Sequence, residues 1–325
     1  MAGLAALAGA GYASASRAQF SIFGVDVGNV ARSLQNIFEG LSLTEEEEIE
    51  MGEKLFPRLL AMSGGPYQSN RLQGAMGEIF EPLRASSGRP NLPWEIAVVN
   101  DNTVNAWALP GGKIAVNKGL LRYVDSEDEL AGVISHEMGH AELSHVIREM
   151  RKEKFYKGLS GLAREGISSQ AGRLGGAGLL TSQALDLLAG PLHDMVRSGY
   201  AKSSEHEADQ HILTVFATTG HDPVKAVNIF RTLLELVPAN SQYTTSLYNS
   251  HPGTRERIAK ILAAAGAAPR PQPRPPGAAY AVVKESFPTR RVFKRNPQPV
   301  ADQGVGSSGV QSDAAFQSRD RAQDR

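Results

Sequence analysis

The chain contains no cysteine, and its charges balance. Without cysteine among the 325 residues, disulfide bonds, thiolate catalysis and cysteine-ligated metal sites are excluded. Histidines and carboxylates are then the only plausible metal ligands. The 34 Lys and Arg residues equal the 34 Asp and Glu residues, so the chain lacks the basic excess of a nucleic-acid-binding protein. We therefore expect no nucleic acid among its partners.

Long hydrophobic runs are also missing. The longest uncharged stretch near the middle of the chain, residues 174–185, is well short of the roughly 20 apolar residues that cross a bilayer. We therefore expect a mature protein that is soluble or peripheral to a membrane.

Residues 1–20 are small and apolar and include the segment Ala13-Ser14-Ala15. This pattern is typical of the apolar core and cleavage site of a secretory signal, although the positive charge that normally precedes the core is missing. A disordered Ala/Gly-rich end is the alternative. Export predicts an extracytoplasmic location, either periplasmic or membrane-associated, and a cytoplasmic location stays open as the other choice.

Helical patterns surround one segment rich in β-forming residues. Thr44 and the acidic run after it predict a helix start, and the Ser-x-x-Glu pattern from Ser126 to Glu129 predicts another. Between them lie three short β-rich runs, residues 95–99, 106–109 and 113–116. Further helices are predicted at about residues 203–219, 223–237 and 254–265. The fold class is therefore α+β, mainly α-helical, with a small β-sheet.

Composition divides the chain into three parts, of which the first is the segment at residues 1–20 described above. Residues 40–267 are predicted to form one catalytic domain. Residues 268–325 are rich in Pro, Gly and Arg and are predicted to be a disordered tail. The modest basic excess of this tail leaves peripheral membrane contact open.

The sequence reads His-Glu-Met-Gly-His at residues 136–140, inside the helix that Ser126 is predicted to begin. Residues four apart share one helical face, so His136 and His140 can bind the same ion. Glu137 points to an adjacent side, where it can act as the general base for a metal-activated water molecule. These roles predict peptide hydrolysis with one Zn²⁺ per chain. The alternative is a surface helix with incidental histidines, which the capping pattern and apolar flanks disfavour.

A catalytic zinc site needs a third protein ligand. In the pattern His-x-x-Gly-x-x-His that ligand would stand at position 146, which is Val146, and His145 is one residue out of register. Glu205 and Asp209 lie four apart on a later helical face. We predict that Glu205 binds zinc and that Asp209 accepts a hydrogen bond from a ligand histidine.

Several segments in this order and spacing resemble one known family. They are residues 104–112, 128–131, 136–140 and 205–209, with the pairs 251–252 and 257–258. Over roughly residues 43–262 the chain resembles the metalloprotease peptidase family forty-eight, which includes HtpX-like, BepA-like and LoiP-like enzymes. The resemblance implies a gluzincin-like fold, with zinc bound by two histidines and a later glutamate, and a role in quality control of envelope proteins. We expect a single catalytic domain without the transmembrane spans, lipobox cysteine or helical-repeat domain of those subgroups.

The same resemblance suggests further site residues. It implies that His251 approaches the metal, where it would stabilise an oxyanion or occupy the open zinc position. Arg257 would support the site. The strand edge at residues 105–107 (Asn105, Ala106 and Trp107) would pair with an extended substrate, although Trp107 and the turn after it would equally serve to pack the strand. Other polar residues are expected to need no special role, most of them on solvated helix faces: Glu142, His145, His193, His206, Glu207 and His211.

Three functions fit these patterns. The first is a zinc metalloendopeptidase that cleaves unfolded or misassembled polypeptides, with envelope proteins as the expected clients. The second is a chaperone or scaffold that uses zinc structurally, with a latent protease activity gated by His251. The third is a metal hydrolase for a non-peptide substrate, which the strand-edge motif disfavours because that motif suits an extended polypeptide.

Overall fold

Helices make up most of the structure, and the strands form a two-stranded sheet and a small three-stranded sheet. The computed structural model describes residues 21–22, 25–26, 43–152, 180, 182–236, 251, 254–267 and 275–289. The helices are α1 (Glu45–Met62), α2 (Asn70–Arg84), α3 (Lys118–Leu121), α4 (Glu127–Glu142), α5 (His145–Met150), α6 (Ser182–Ser198), α7 (Lys202–Thr219), α8 (Pro223–Ala226), α9 (Asn228–Leu236), α10 (Thr254–Gly266) and α11 (Ala278–Ser286). The strands are β1 (Ser21–Ile22), β2 (Val25–Asp26), β3 (Glu95–Val99), β4 (Ala106–Leu109) and β5 (Lys113–Asn117). The predicted α+β, mainly helical class is confirmed.

Local sequence signals explain several helix ends. The Thr44 hydroxyl accepts the Glu47 N–H, and the Glu47 carboxylate accepts the Thr44 N–H, so a complete capping box begins α1. Gly220 ends α7 in the left-handed conformation, with a φ of 74°. The Asp222 side chain accepts the Val224 N–H and begins α8.

The three longer strands form a sheet in the order β3, β5, β4. β3 runs parallel to β5, with Ile96 opposite Ile114. β4 runs antiparallel to β5, with Trp107 opposite Ala115, and lies at the edge of this sheet. α4 packs against β4 and β5, so the sheet lies beside the helix that carries residues 136–140, as predicted.

Alternation along the strands divides the core into two clusters. Val98 and Ile114 lie in the cluster that includes residues from α2, α4 and α7. Val99 and Ala115 lie in the other cluster, with residues from α1 and α6. Successive side chains of a strand point to opposite faces, which is why neighbouring residues join different clusters. Burial of each large apolar side chain contributes about 1.5–3 kcal/mol, so both faces hold the sheet in place.

Part of the predicted disordered tail is folded. Residues 278–286 form α11, and Tyr280 and Val283 are buried in the same core cluster as residues of α2 and α4. The Tyr280 hydroxyl and the Lys284 ammonium group both donate to the Val124 carbonyl, at 3.3 and 2.7 Å. The prediction of disorder is wrong for this segment, because the surrounding prolines obscured a short apolar helical pattern.

Other predictions for the chain ends lie outside the described residues. These are the signal segment at residues 1–20 and the tail residues 268–274 and 290–325. Among the helices that the structure describes, none is both long and apolar enough to cross a bilayer.

Candidate active site

α4 carries two histidines into the centre of the fold. The Ser126 hydroxyl accepts the Glu129 N–H at 3.1 Å and starts the helix as its sequence predicted. Residues 128–141 of this helix are all buried. His136 and His140 lie one turn apart, with ring centroids 4.7 Å from each other. Their burial excludes the alternative of incidental surface histidines.

α7 crosses α4 and brings a carboxylate to the two histidines. The crossing is close because Gly139 has no side chain: a Cβ added there would lie 2.9 Å from the Ala208 Cα. The Glu205 Oε2 atom lies 3.5 Å from the His136 Nε2 atom. The Glu205 Oε1 atom lies 3.5 Å from the His140 Nε2 atom. The three predicted ligands therefore converge from two helices that are distant in sequence.

His251 joins the same group. Its Nδ1 atom lies 3.1 Å from the His136 Nε2 atom and 2.9 Å from the Glu205 Oε2 atom. One potential ligand atom from each of His136, His140, Glu205 and His251 lies within 4.8 Å of the others, and all four residues are buried. The structure thus places His251 inside the predicted ligand group.

The spacing and chemistry of this group suit a tetrahedral zinc ion. Two ligand atoms about 2.0–2.1 Å from Zn²⁺ at a tetrahedral angle lie roughly 3.3–3.4 Å apart. Here the His136 and His140 Nε2 atoms are 3.1 Å apart, and each lies 3.5 Å from a Glu205 oxygen. Imidazole nitrogens and carboxylate oxygens are both ordinary zinc ligands. The group is therefore compatible with a zinc site.

Glu137 is a buried carboxylate beside this group. It is fully buried, and neither of its carboxylate oxygens has a hydrogen-bond partner among the described residues. Burial raises the pKa of Glu137 above its ordinary value, although His251 and His136 act in the opposite direction. Buried polar atoms are nearly always hydrogen-bonded. The His251 Nε2 atom lies 3.5 Å from the Glu137 Oε1 atom without a hydrogen bond, so both oxygens keep the capacity to accept one from water or a reacting molecule.

Asp209 and Arg257 hold His136 from the far side of its ring. The Asp209 Oδ1 atom lies 3.2 Å from the His136 Nδ1 atom. Arg257 donates to both Asp209 oxygens, at 2.6 and 2.8 Å, and also lies 2.7 Å from Glu205. A fully buried guanidinium is costly unless it is paired, and these two carboxylates pair it. Both residues lie where support of a ligand histidine was predicted.

The pKa values reflect this crowding of charges. Burial and Arg257 lower the pKa of His136, but hydrogen bonds to Asp209 and Glu205 outweigh them and raise it to about 9. Burial and the charge on His136 hold the pKa of His140 well below its ordinary value. Burial alone would raise the pKa of Glu205, but His251 and His136 hold it well below its ordinary value. The two carboxylates that flank the His136 ring, those of Asp209 and Glu205, therefore favour its protonated form.

His145 and Glu207 form contacts that the sequence did not predict. His145 is fully buried, with its Nδ1 atom 2.7 Å from the His140 Nδ1 atom. Its Nε2 atom lies 3.1 Å from the Glu207 Oε2 atom. Both residues were expected to need no special role, and the structure places His145 in hydrogen-bond contact with a candidate ligand and Glu207 in hydrogen-bond contact with His145. Ser144, with a φ of 51°, turns the chain between α4 and α5, and no sequence pattern signalled that turn.

His211 and Glu142 are also less exposed than expected. His211 is only 8% exposed, and its Nδ1 atom lies 2.8 Å from the Ser135 carbonyl oxygen. Its Nε2 atom lies 3.3 Å from Glu142, whose carboxylate also accepts the Gly88 N–H. These contacts fasten α7 and the loop before β3 to α4, so we assign them a structural role.

The predicted substrate strand edge is buried in this structure. Asn105, Ala106 and Trp107 are each at most 2% exposed. The Trp107 ring packs edge-to-face on Phe56, with centroids 5.8 Å apart. For the Trp107 side chain this favours the packing alternative over substrate contact. Pairing of the strand backbone with a substrate stays a prediction.

A helix with the pattern His-Glu-x-x-His, whose two histidines meet a glutamate from a later helix, is the arrangement typical of the HExxH class of metallopeptidases. The chain belongs to Peptidase family M48, which matches residues 70–265. The family predicted from the sequence segments is thereby confirmed. The matched residues lie inside the predicted domain, residues 40–267.

Three curated relatives show how far the likeness extends. The beta-barrel assembly-enhancing protease of Yersinia pestis is 26% identical over 60% of this chain and 39% of its own length. The mitochondrial metalloendopeptidase OMA1 of Arabidopsis thaliana is 32% identical over 56% of this chain and 33% of its own length. Metalloprotease YcaL of Escherichia coli (strain K12) is 25% identical over 73% of this chain and 87% of its own length. The chain thus spans well under half of the first two relatives.

Proposed function

We propose that the chain is a zinc-dependent metalloendopeptidase that hydrolyses peptide bonds of unfolded or misassembled proteins. One observation carries the proposal: His136, His140 and Glu205 converge beside Glu137, whose buried oxygens lack hydrogen-bond partners among the described residues. Membership of a peptidase family supports polypeptides as the substrate class over a non-peptide substrate. His136, His140 and Glu205 would hold one Zn²⁺ per chain.

The roles of the site residues follow from their geometry. A bound zinc ion would supply a Lewis acid that polarises the scissile carbonyl and makes water more acidic. Glu137 would take the proton that the attacking water loses and return it to the leaving nitrogen. The pKa of Glu137, raised by burial, suits both steps, because a carboxylate that binds a proton more readily is a better base and can afterwards return that proton. Asp209 and Arg257 would keep the His136 ring oriented.

The position of His251 favours a second candidate, a chaperone or scaffold with latent protease activity. The His251 ring lies between the ligand group and the base, with Nδ1 2.9 Å from Glu205 and Nε2 3.5 Å from Glu137. The attacking water would have to lie in this same space. Catalysis would therefore require His251 to withdraw, and a chain in which it never withdraws would use zinc structurally.

The clients are proposed to be envelope proteins, met outside the cytoplasm at or near a membrane. Two observations support this: one relative is named a beta-barrel assembly-enhancing protease, and residues 1–20 have the pattern of a secretory signal. The edge strand β4 would pair with the extended client backbone through residues 105–107 once that edge is uncovered.

Casein cleavage by the wild type, Glu137→Gln and His251→Ala tests the proposal. We expect Glu137→Gln to lower kcat by about 10²–10⁴-fold, because an amide cannot take up a proton. Its zinc content, measured by mass spectrometry under native conditions, should stay at the wild-type level because Glu137 is not a ligand. We expect His251→Ala to cleave casein faster than the wild type, because it frees the space beside Glu137.

The control is Glu81→Gln, which changes an exposed carboxylate in α2 and should leave zinc content and cleavage unchanged. If the wild type binds zinc but neither it nor His251→Ala cleaves casein, the peptidase proposal fails and the chaperone alternative gains support. If Glu137→Gln cleaves as fast as the wild type, Glu137 is not the base.

A further inference from the structure

A chain of hydrogen-bonded side chains runs from His140 towards the surface. The His140 and His145 Nδ1 atoms are 2.7 Å apart, and the His145 Nε2 atom lies 3.1 Å from the Glu207 Oε2 atom. Arg148 follows, with its Nη1 atom 2.6 Å from the same Glu207 oxygen. His145 is fully buried, whereas the Glu207 and Arg148 side chains are 40% and 39% exposed. This series of hydrogen bonds therefore connects a candidate zinc ligand with solvent.

Hydrogen-bond chemistry determines the direction of every bond in this chain. Arg148 binds both oxygens of Glu207, at 2.6 and 3.2 Å, so the carboxylate is the ionised partner of a two-point ion pair. An ionised carboxylate can only accept, so the His145 Nε2 atom must carry the proton. In a neutral His145 the Nδ1 atom then has the lone pair and accepts the His140 Nδ1–H. The lone pair of His140 is left on Nε2, the atom that faces His136 and Glu205.

We propose that His145, Glu207 and Arg148 are positioning residues that set the tautomer and ring orientation of His140 for metal binding. The inference rests on the proposed zinc site. It gives His140 the kind of partner that Asp209 gives His136, because each ligand histidine then donates its Nδ1–H to an acceptor. Partners of this kind orient ligand histidines and increase their basicity in known metal sites.

The turn before α5 brings His145 within reach of His140. Ser144 has a φ of 51°, and it is the only non-glycine residue with a positive φ in the described part of the chain. Its hydroxyl donates to the Glu48 carboxylate at 3.0 Å. A residue held in the left-handed region costs about 1–2 kcal/mol, and such strain is concentrated at functional sites. The fold thus maintains an unfavourable turn at the point that places His145 against the ligand.

Packing alone offers a competing explanation. His140 also stacks on the Tyr200 ring, with centroids 4.0 Å apart and planes 17° apart, so its orientation has a second support. Under this explanation His145 only fills space beside His140. Two substitutions at position 145 separate the explanations, since one preserves the acceptor and the other preserves the ring volume.

The experiment compares the zinc affinities of the wild type, His145→Phe and His145→Asn by competition with a chelator. The amide oxygen of asparagine can lie near the position of Nδ1 and accept the His140 N–H, whereas phenylalanine fills the space but accepts nothing. We expect His145→Phe to lose about 10–100-fold in affinity and His145→Asn to lose less than about tenfold. The visible absorption of the Co²⁺-substituted protein should shift in His145→Phe and stay close to wild type in His145→Asn.

Glu207→Ala provides a second variant whose change lies at a partly exposed position, so folding is not at risk. We expect an affinity loss of about three- to tenfold, because His145 keeps its place but is free to change tautomer. The matched control is Glu81→Gln, which removes a carboxylate from the exposed ion pair with Arg84 and should not alter zinc affinity. Circular dichroism verifies that each variant is folded.

Each result bears directly on the inference. A greater loss in His145→Asn than in His145→Phe would overturn it in favour of packing. Wild-type affinity in both His145→Phe and Glu207→Ala would overturn it and leave the proposed peptidase intact. A wild-type chain that binds no zinc would overturn the proposed function, and this inference with it.

Discussion

At the residue scale, the site depends on buried charges that neutralise one another. Arg257 is fully buried and contacts both Glu205 and Asp209, and Asp209 in turn contacts His136. Removing one member of such a network leaves an unpaired charge in the interior, which typically lowers the free energy of unfolding by about 3–5 kcal/mol. Protons and a metal ion therefore compete for the same ligand group, and metal binding depends on the protonation of that group.

Zinc affinity should rise with pH, because protons compete with the metal for His136. Hydrogen bonds to Asp209 and Glu205 outweigh burial and the charge of Arg257 and raise the pKa of His136 to about 9. Below pH 9 the metal must displace this proton. We expect the apparent affinity, measured by chelator competition, to increase about tenfold per pH unit between about pH 6.5 and 8.5.

The variant Asp209→Asn tests the cause of this pH dependence. Loss of the Asp209 charge should lower the pKa of His136, so the affinity should level off at a lower pH than in the wild type. Asp186→Asn, which removes an exposed carboxylate paired with Arg58, serves as the control and should keep the wild-type profile. A wild-type affinity that does not vary over this pH range would contradict the prediction.

At the element scale, the distance between α4 and α7 decides whether Glu205 reaches the histidines. A Cβ added at Gly139 would lie 2.9 Å from the Ala208 Cα, a backbone atom that cannot move alone. We expect Gly139→Ala to lower the free energy of unfolding by about 1–3 kcal/mol, measured by urea denaturation. Zinc affinity should fall as well, because α7 must shift with its ligand.

Gly77→Ala is the matched control for this substitution. Gly77 lies within α2, and a Cβ added there would meet nothing within 4 Å. Alanine is the better helix former, so we expect the free energy of unfolding to rise by about 0.5–1 kcal/mol. Equal stability of Gly139→Ala and the wild type would show that the two helices can separate without cost.

Elements were predictable from the sequence where local chemistry decides them. Capping side chains at Thr44 and Ser126 and the glycine at position 220 mark helix ends, and the three β-rich runs form the sheet that was predicted. The candidate ligands were also predictable, since His136 and His140 share a helix face. The contact between His140 and His145 was not, because it depends on a strained turn that tertiary contacts hold.

At the scale of the whole molecule, contacts from residues outside the family match also hold the described residues together. α11 lies after residue 265, where that match ends, and its Tyr280 and Lys284 bind the carbonyl of Val124, just before α4 begins. Glu285 pairs with Arg71 of α2 at 2.7 Å. This helix could not be predicted from composition, because the burial of its few apolar residues depends on a partner surface that composition does not describe.

Paired substitutions in α11 test whether its packing stabilises the whole fold. Val283 is fully buried, whereas its neighbour Val282 is only half-buried. We expect Val283→Ala to lower the free energy of unfolding by about 1–2.5 kcal/mol and Val282→Ala by less than about 1 kcal/mol, measured by urea denaturation. Excess zinc should stabilise both variants and the wild type equally, because binding energy adds to folding energy when the site is unchanged. If Val283→Ala unfolds at the wild-type urea concentration, α11 is an attachment to the surface and not part of the cooperative core that positions α4.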